Sequence, residues 1–245
     1  MSYTPNIRGY FCTQRVPEGH ELIGLTVEKV PCARMFDPTI YLDAFLQKAD
    51  GVLVVGCRTS DCRNTASKVH NVRRIEILKE LLDGTDLKGR FQVLWLLGAE
   101  EGHVPEHAEN FVTELRERGP VHYSPRLELE LRAMKEMLEA RRVRNFVAKY
   151  HQLVERNNVF GENLLQADVD AGLREAVRAE YARALIHSAA RMSPVSVEEA
   201  SELFGLQPSE VLGHVTAMLK RNALEIASIE GNIPRYKAIG GEAGQ

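Results

Sequence analysis

The sequence predicts an α/β fold, a small parallel sheet followed by a mainly helical region, and three observations carry the prediction. Over residues 6–120, β-branched apolar runs alternate with amphipathic stretches, the pattern of a parallel sheet covered by helices. From about residue 126, apolar positions recur at helical spacing. In the last fifty residues the spacing shortens into helix, turn, helix and hairpin. At 245 residues, 44% hydrophobic and 27% charged, the chain is long enough for two modest domains with real cores.

The strands of the first region are predicted at Ile7–Phe11, Leu25–Val30, Gly51–Val55 and Phe91–Leu96, and its helices at Pro38–Lys48, roughly Thr65–Leu82, and Glu106–Arg118. The run Val52–Val55 is continuously apolar and β-branched, as a strand buried on both faces must be. The alternation argues for a small flavodoxin-like parallel domain. Between Gly119 and Pro125 two prolines and a glycine exclude a helix or central strand, so the domain boundary is placed there.

Beyond the boundary, Leu127, Leu131, Met134 and Leu138, then Phe146, Tyr150, Leu153 and Val154, predict one long or broken amphipathic helix over about 126–156. After the turn-prone Asn157-Asn158-Val159-Phe160-Gly161, a helix is marked by Val169, Leu173, Val177 and Leu185. Ser196-Val197-Glu198-Glu199 reads as a capping box opening a short helix to Phe204. Gly205-Leu206-Gln207 makes a turn, and Pro208 suits the first position of a helix carrying Val211, Leu212, Val215, Met218 and Leu219. Leu224–Ile229, Gly231-Asn232 and Ile233–Ile239 complete a hairpin, the element order of a C-terminal winged helix. The expected division is 1–120 for the α/β domain, 121–190 for a helical linker or docking region, and 191–245 for the winged-helix-like domain and tail.

A net charge of −3 gives no electrostatic reason to expect nucleic acid or an anionic membrane. No run approaches the ~18 apolar residues of a membrane span, and the N-terminus lacks a basic-then-apolar leader, so a cytoplasmic protein is expected. The motifs G-x-G-x-x-G, G-x4-G-K-[ST] and G-x-S-x-G are absent, which leaves nucleotide or flavin binding by this chain without support.

The chemistry lies in the cysteines. All four, Cys12, Cys32, Cys57 and Cys62, fall in the first 62 residues. Cys12, Cys32 and Cys57 each follow a predicted strand, and Cys62 follows Cys57 at C-x4-C spacing. Neighbouring parallel strands would bring the first three to the carboxyl edge of the sheet, where open α/β folds place ligands. In a reducing compartment clustered thiols favour metal ligation over disulfides. The spacing is compatible with two ligands of a [2Fe–2S] cluster from one loop, but zinc, or small buried hydrophobes, fits the same residues.

Two segments resemble a known family. Val30-Pro31-Cys32-Ala33-Arg34-Met35-Phe36-Asp37-Pro38 and Ala49-Asp50-Gly51-Val52-Leu53-Val54-Val55-Gly56-Cys57-Arg58-Thr59-Ser60-Asp61-Cys62 resemble the delta subunit of methyl-viologen-reducing hydrogenase. Ile7–Cys12 resembles that family's opening strand and first cysteine, and Trp95–Gly102 its later strand-to-helix junction. The resemblance covers about 6–120. It implies a [2Fe–2S] cluster held by Cys12, Cys32, Cys57 and Cys62. It further implies a non-catalytic subunit that carries electrons between a donor module and a heterodisulfide-reductase-like FAD/iron–sulfur subunit, in anaerobic metabolism and flavin-based electron bifurcation. Subunits of that family are paired with hydrogenase, formate dehydrogenase or other donor modules, and similar heterodisulfide-reductase-like assemblies serve class II benzoyl-CoA reduction and methylenetetrahydrofolate reduction. This chain departs from the pattern at Arg15, where the family usually has a further cysteine, and at Ala33-Arg34, which lacks the family's glycine.

Other candidates have plainer readings. Arg34, Arg58 and Arg63 lie beside cysteines, where a cation would raise a cluster's potential, or they contact a partner or water. His103 and His107 are four apart but have no third ligand and read as a solvated helix entrance. Asp37 reads as a helix cap and Asp61 as a loop-ordering acid. Residues 193–240 carry six acidic residues against four Lys or Arg, which favours a docking module over a DNA reader. Arg141-Arg142-Val143-Arg144 is the one dense basic cluster. The alternatives to an electron-transfer subunit are a redox-sensing transcription regulator, in which a cluster domain controls the winged helix, and a zinc-stabilised assembly subunit.

Overall fold

The computed structural model describes residues 3–13, 24–58, 70–97, 100–155, 157, 161 and 164–240. They divide into two compact units, Met1–Glu128 and Leu129–Gln245. The first unit runs β1 (Ile7–Cys12), β2 (Leu25–Val30), α1 (Thr39–Leu46), β3 (Gly51–Cys57), α2 (His70–Asp83), β4 (Phe91–Leu96) and α3 (Val104–Arg118). Its four strands are all parallel, in the order β2-β1-β3-β4. The predicted strands are therefore present, with β1 and β3 each extended to include its cysteine. Residues 65–69, where the sequence pattern places the start of the second helix, lie outside the described residues.

Side-chain alternation sorts this sheet into two faces. On one, Ile7, Phe11, Leu53, Val55 and Leu96 pack against Val104, Ala108, Phe111 and Leu115 of α3. Tyr10 lies on the other, where its ring meets Tyr41 of α1 edge-on at 5.1 Å, and Tyr41 meets Phe91 at 5.6 Å. Every residue of β3 is buried, which is why its sequence is apolar throughout rather than alternating.

Opposite the cysteines, Asp50 fastens the amino edge. Its carboxylate accepts from the amides of Asn6 (2.9 Å) and Val121 (3.0 Å). Arg90 donates to the carbonyls of Asp50 (3.2 Å) and Gly119 (2.9 Å), and the Tyr123 hydroxyl to that of Ala49 (2.5 Å). The Pro-rich segment after α3 is thus bonded to the first unit.

Helix α4 (Pro125–Glu139) contains the division between the units. The second unit continues with α5 (Arg141–Glu155), α6 (Gln166–Met192), α7 (Val197–Phe204), α8 (Pro208–Lys220), and the antiparallel strands β5 (Leu224–Glu230) and β6 (Ile233–Ala238). The long or broken helix expected over about 126–156 is broken, as two helices that meet at Ala140. Ser196 forms the capping box of α7, accepting from the Glu199 amide (3.2 Å) while its own amide donates to Glu199 Oε2 (2.8 Å). Gly205 takes the left-handed conformation that ends α7, φ 65°. Ile186, Val195, Ala200, Val211, Val215, Met218, Leu224 and Tyr236 form one core from α6 to β6. Among the described residues no helix is long and apolar enough to cross a membrane.

Candidate metal centre

Three of the four cysteines stand at the carboxyl edge of adjacent strands. Cys12 ends β1, Cys57 ends β3, and Cys32 lies two residues past β2. All three are buried thiols, 3%, 6% and 3% exposed for Cys12, Cys32 and Cys57. The register Phe11↔Val55 places Cys12 on the Tyr10 face and Cys57, level with Leu96, on the α3 face. Cys12 Sγ donates to the Pro31 carbonyl at 3.7 Å, which draws the end of β1 to the segment carrying Cys32. Cys62, like Asp61 and Arg63, lies outside the described residues. Among the described residues no three His, Cys, Asp or Glu side chains are grouped closely enough to hold a metal ion. The structure therefore brings three strand ends together without making a cage from them alone.

The segment after Cys32 is a tight turn anchored at its far end. The Cys32 carbonyl accepts from the amides of Met35 (3.0 Å) and Phe36 (3.2 Å). Asp37 accepts from the amide (3.1 Å) and hydroxyl (3.0 Å) of Thr39, and both of its oxygens accept from the Arg74 guanidinium at 3.0 Å. Burial pushes the Asp37 carboxyl up, but Arg74 and Thr39 outweigh it and hold it below the usual range. Asn71 donates to the Met35 carbonyl at 2.9 Å. Two side chains of α2 thus fix the turn that presents Cys32. The N-cap of α1 is Pro38, without a side-chain cap; Asp37, one residue earlier, accepts from Thr39 and forms this clamp, which its spacing alone does not reveal.

Gly56, next to Cys57, is where this turn crosses the sheet. A Cβ there would lie 2.5 Å from the Trp95 ring and 3.1 Å from Ala33 Cβ, so only glycine lets the Cys32 turn and Trp95 close over β3. The Arg34 guanidinium lies 5.9 Å from the centre of the same ring. Arg58 is exposed; its amide donates to the Leu96 carbonyl at 2.7 Å and its Nε to that of Trp95 at 3.2 Å. Trp95 belongs to the site on packing grounds, whereas the sequence marks it only as part of a junction.

Two buried polar groups near Cys32 are left unsatisfied. The Tyr41 hydroxyl has no hydrogen-bond partner among the described residues, and its pKa is raised first by burial and then by Tyr10, Cys32 and Asp37. Arg34, 7% exposed, has a buried Nε with no acceptor among them. Buried thiols on the strand ends, with unsatisfied donors on the Cys32 turn and on α1, suit a thiolate-bound, anionic inorganic group. His103 and His107 are both exposed, His103 directly before α3 and His107 in its first turns, and among the described residues no third ligand is grouped with them.

Residues 22–119 match the family described as methyl-viologen-reducing hydrogenase, delta subunit. An iron–sulfur subunit of the F420-non-reducing hydrogenase of Archaeoglobus profundus is 30% identical over 98 residues, 40% of this chain and 72% of that one. A vhc iron–sulfur subunit of the F420-non-reducing hydrogenase of Methanococcus voltae is 28% identical over 130 residues, 49% of this chain and 90% of that one. A subunit of the ferredoxin:CoB-CoM heterodisulfide reductase of Methanosarcina mazei is 34% identical over 104 residues, 42% of this chain. The matched part spans only 13% of that relative's length.

Proposed function

Because this chain belongs to the methyl-viologen-reducing hydrogenase delta-subunit family, we propose that it is a cytoplasmic [2Fe–2S] electron-transfer subunit of a multi-subunit oxidoreductase, without a substrate site of its own. It would relay electrons between a donor module and a heterodisulfide-reductase-like flavoprotein subunit, in a hydrogenase, formate dehydrogenase or class II benzoyl-CoA reductase type of complex. The observation that carries this reading is the set of three buried thiols on adjacent parallel strand ends, inside or beside the region matched to relatives named as iron–sulfur subunits.

Cys12, Cys32, Cys57 and Cys62 would hold the cluster, which supplies one-electron transfer when bound. The protein's own part is to hold these ligands and keep water from them. The Asp37–Arg74 clamp fixes the Cys32 turn, and Gly56 lets that turn and the Trp95 ring close over the end of β3. Ordered ligands lower the structural rearrangement that a change of charge requires.

The second unit is read as a docking module. Its order of α7, α8, β5 and β6 is that of a winged helix, but α8 turns Ser209, Leu212, Gly213, Thr216 and Lys220 outward, a face with one cation and an exposed leucine. Such a surface suits a protein partner better than phosphates. The reading is tested by purifying the tagged full-length chain anaerobically from its native cells. A co-purifying subunit that contains FAD and iron is the expected result. Recovery of the chain alone, or with bound DNA released by salt, would favour the transcription regulator instead.

A further inference from the structure

We propose that Arg34 is a built-in counter-ion for the group held by the cysteines, a positioning residue that favours its reduced state; this rests on the cluster reading above. Among the described residues one buried arginine is left without a counter-charge or carbonyl partner. Arg34 is 7% exposed, and among the described residues no carboxylate pairs with it and no acceptor meets its Nε. Its guanidinium lies 5.9 Å from the centre of the Trp95 ring. A ring face offers a buried guanidinium far less than a carboxylate does.

The other buried arginines are treated differently. Arg74 is clamped by both oxygens of Asp37, and Arg90 is met by two backbone carbonyls. Arg34 alone of the three lies in the turn after Cys32, two residues past that thiol and next to Ala33, and its guanidinium faces the Trp95 ring that, with Ala33, closes over Gly56 beside Cys57. A buried cation that the described residues leave uncompensated, two residues from the Cys32 thiol, is balanced when an anion occupies that edge. A thiolate-ligated [2Fe–2S] cluster is a polyanion, and reduction adds one more negative charge, so Arg34 interacts more strongly with the reduced form.

The test uses Arg34→Met, which keeps an apolar stem but removes the charge, and Arg34→Lys, which restores it. Both are compared with the wild type in the full chain, with and without its cluster. In the apo protein the buried charge is a burden, so R34M is expected to melt at or above the wild-type temperature. In the loaded protein the order should reverse, and the midpoint potential of R34M should fall, with R34K close to wild type. A tenfold weaker reduction equilibrium reads as a shift of about 59 mV for one electron. If R34M does not load at all, loading of R34K supports the proposal and failure of both overturns it, because shape rather than charge is then required. Equal destabilisation of apo and loaded R34M with an unchanged potential also overturns it, leaving Arg34 as a packing group on Trp95. Wild-type protein free of iron and sulfide would instead defeat the cluster reading, a result visible before any variant is made.

Discussion

Strands β3 and β5 are both seven residues long, and they could hardly differ more in their surroundings. All seven residues of β3, Gly51–Cys57, are buried; of β5, Leu224–Glu230, only Leu224 is. The first lies inside a parallel sheet with helices on both faces, and the second forms one edge of a two-stranded hairpin. Apolar side chains therefore mean different things in the two. Val52, Leu53, Val54 and Val55 hold the fold together, each contributing about 1.5–3 kcal/mol on burial. Ile226 and Ile229, 54% and 65% exposed, contribute little to it and are available to something outside the chain. The difference teaches that the cysteine-bearing sheet is a rigid mount, whereas the hairpin presents a surface.

The sharpest way to break the comparison is to truncate equivalent positions. Leu53→Ala should destabilise the first unit by about 2–5 kcal/mol in urea unfolding, since the cavity cannot be refilled in a sheet packed on both faces. A Gly56→Ala change should cost about 1–3 kcal/mol and lower cluster occupancy with it, because the new methyl collides with Trp95 and Ala33. Iron analysis after anaerobic reconstitution reads that second effect.

Asp37→Asn tests the clamp and should cost about 1 kcal/mol, the carboxylate being half-exposed and partly screened. The folded-state pKa of Asp37 lies below its unfolded value, so its contribution is present at neutral pH and is lost as the pH falls through the folded value. The gap between wild type and D37N in thermal melts should accordingly close below about pH 4.

The fold is largely legible in the sequence, for physical reasons that differ by element. The strands can be read because a parallel sheet covered on both faces demands continuous β-branched runs, as at Val52–Val55. The capping box of α7 can be read because Ser196 and Glu199 satisfy each other's amides at fixed spacing. A break within 126–156 is open to the sequence, but its position at Ala140 is not. The expected stripe continues from Leu138 to Phe146, Tyr150, Leu153 and Val154, whereas α5 buries Val143, Val147 and Tyr150. The step from Leu138 to Val143 is a slip of phase with no proline or glycine to announce it. Cys12, Cys32 and Cys57 can be assigned to strand ends, since each follows a stretch with a strand's pattern. The burial of Arg34 and the approach of Trp95 to Gly56 cannot, because they depend on how the Cys32 turn crosses the sheet.

Smaller effects belong to the second unit. Ser196→Ala should cost about 1 kcal/mol by removing one half of the capping box, measured as earlier melting of that unit while the cluster spectrum is unchanged. Ile226→Ser together with Ile229→Ser should change stability by less than about 0.5 kcal/mol each. The same pair should nonetheless weaken co-purification with the partner subunit. A pair of serines that unfolds the hairpin unit, or leaves assembly untouched, would remove the contrast between mount and surface.

The central claim, that the edge formed by β1, β2 and β3 is an iron–sulfur mount, is tested most directly by metal and sulfide analysis of the full chain purified without oxygen. The expected result is about two irons and two acid-labile sulfides per chain, a brown protein, and loss of both when Cys57 is replaced by serine. A colourless protein with one zinc per chain, or one with no metal at all, would contradict it.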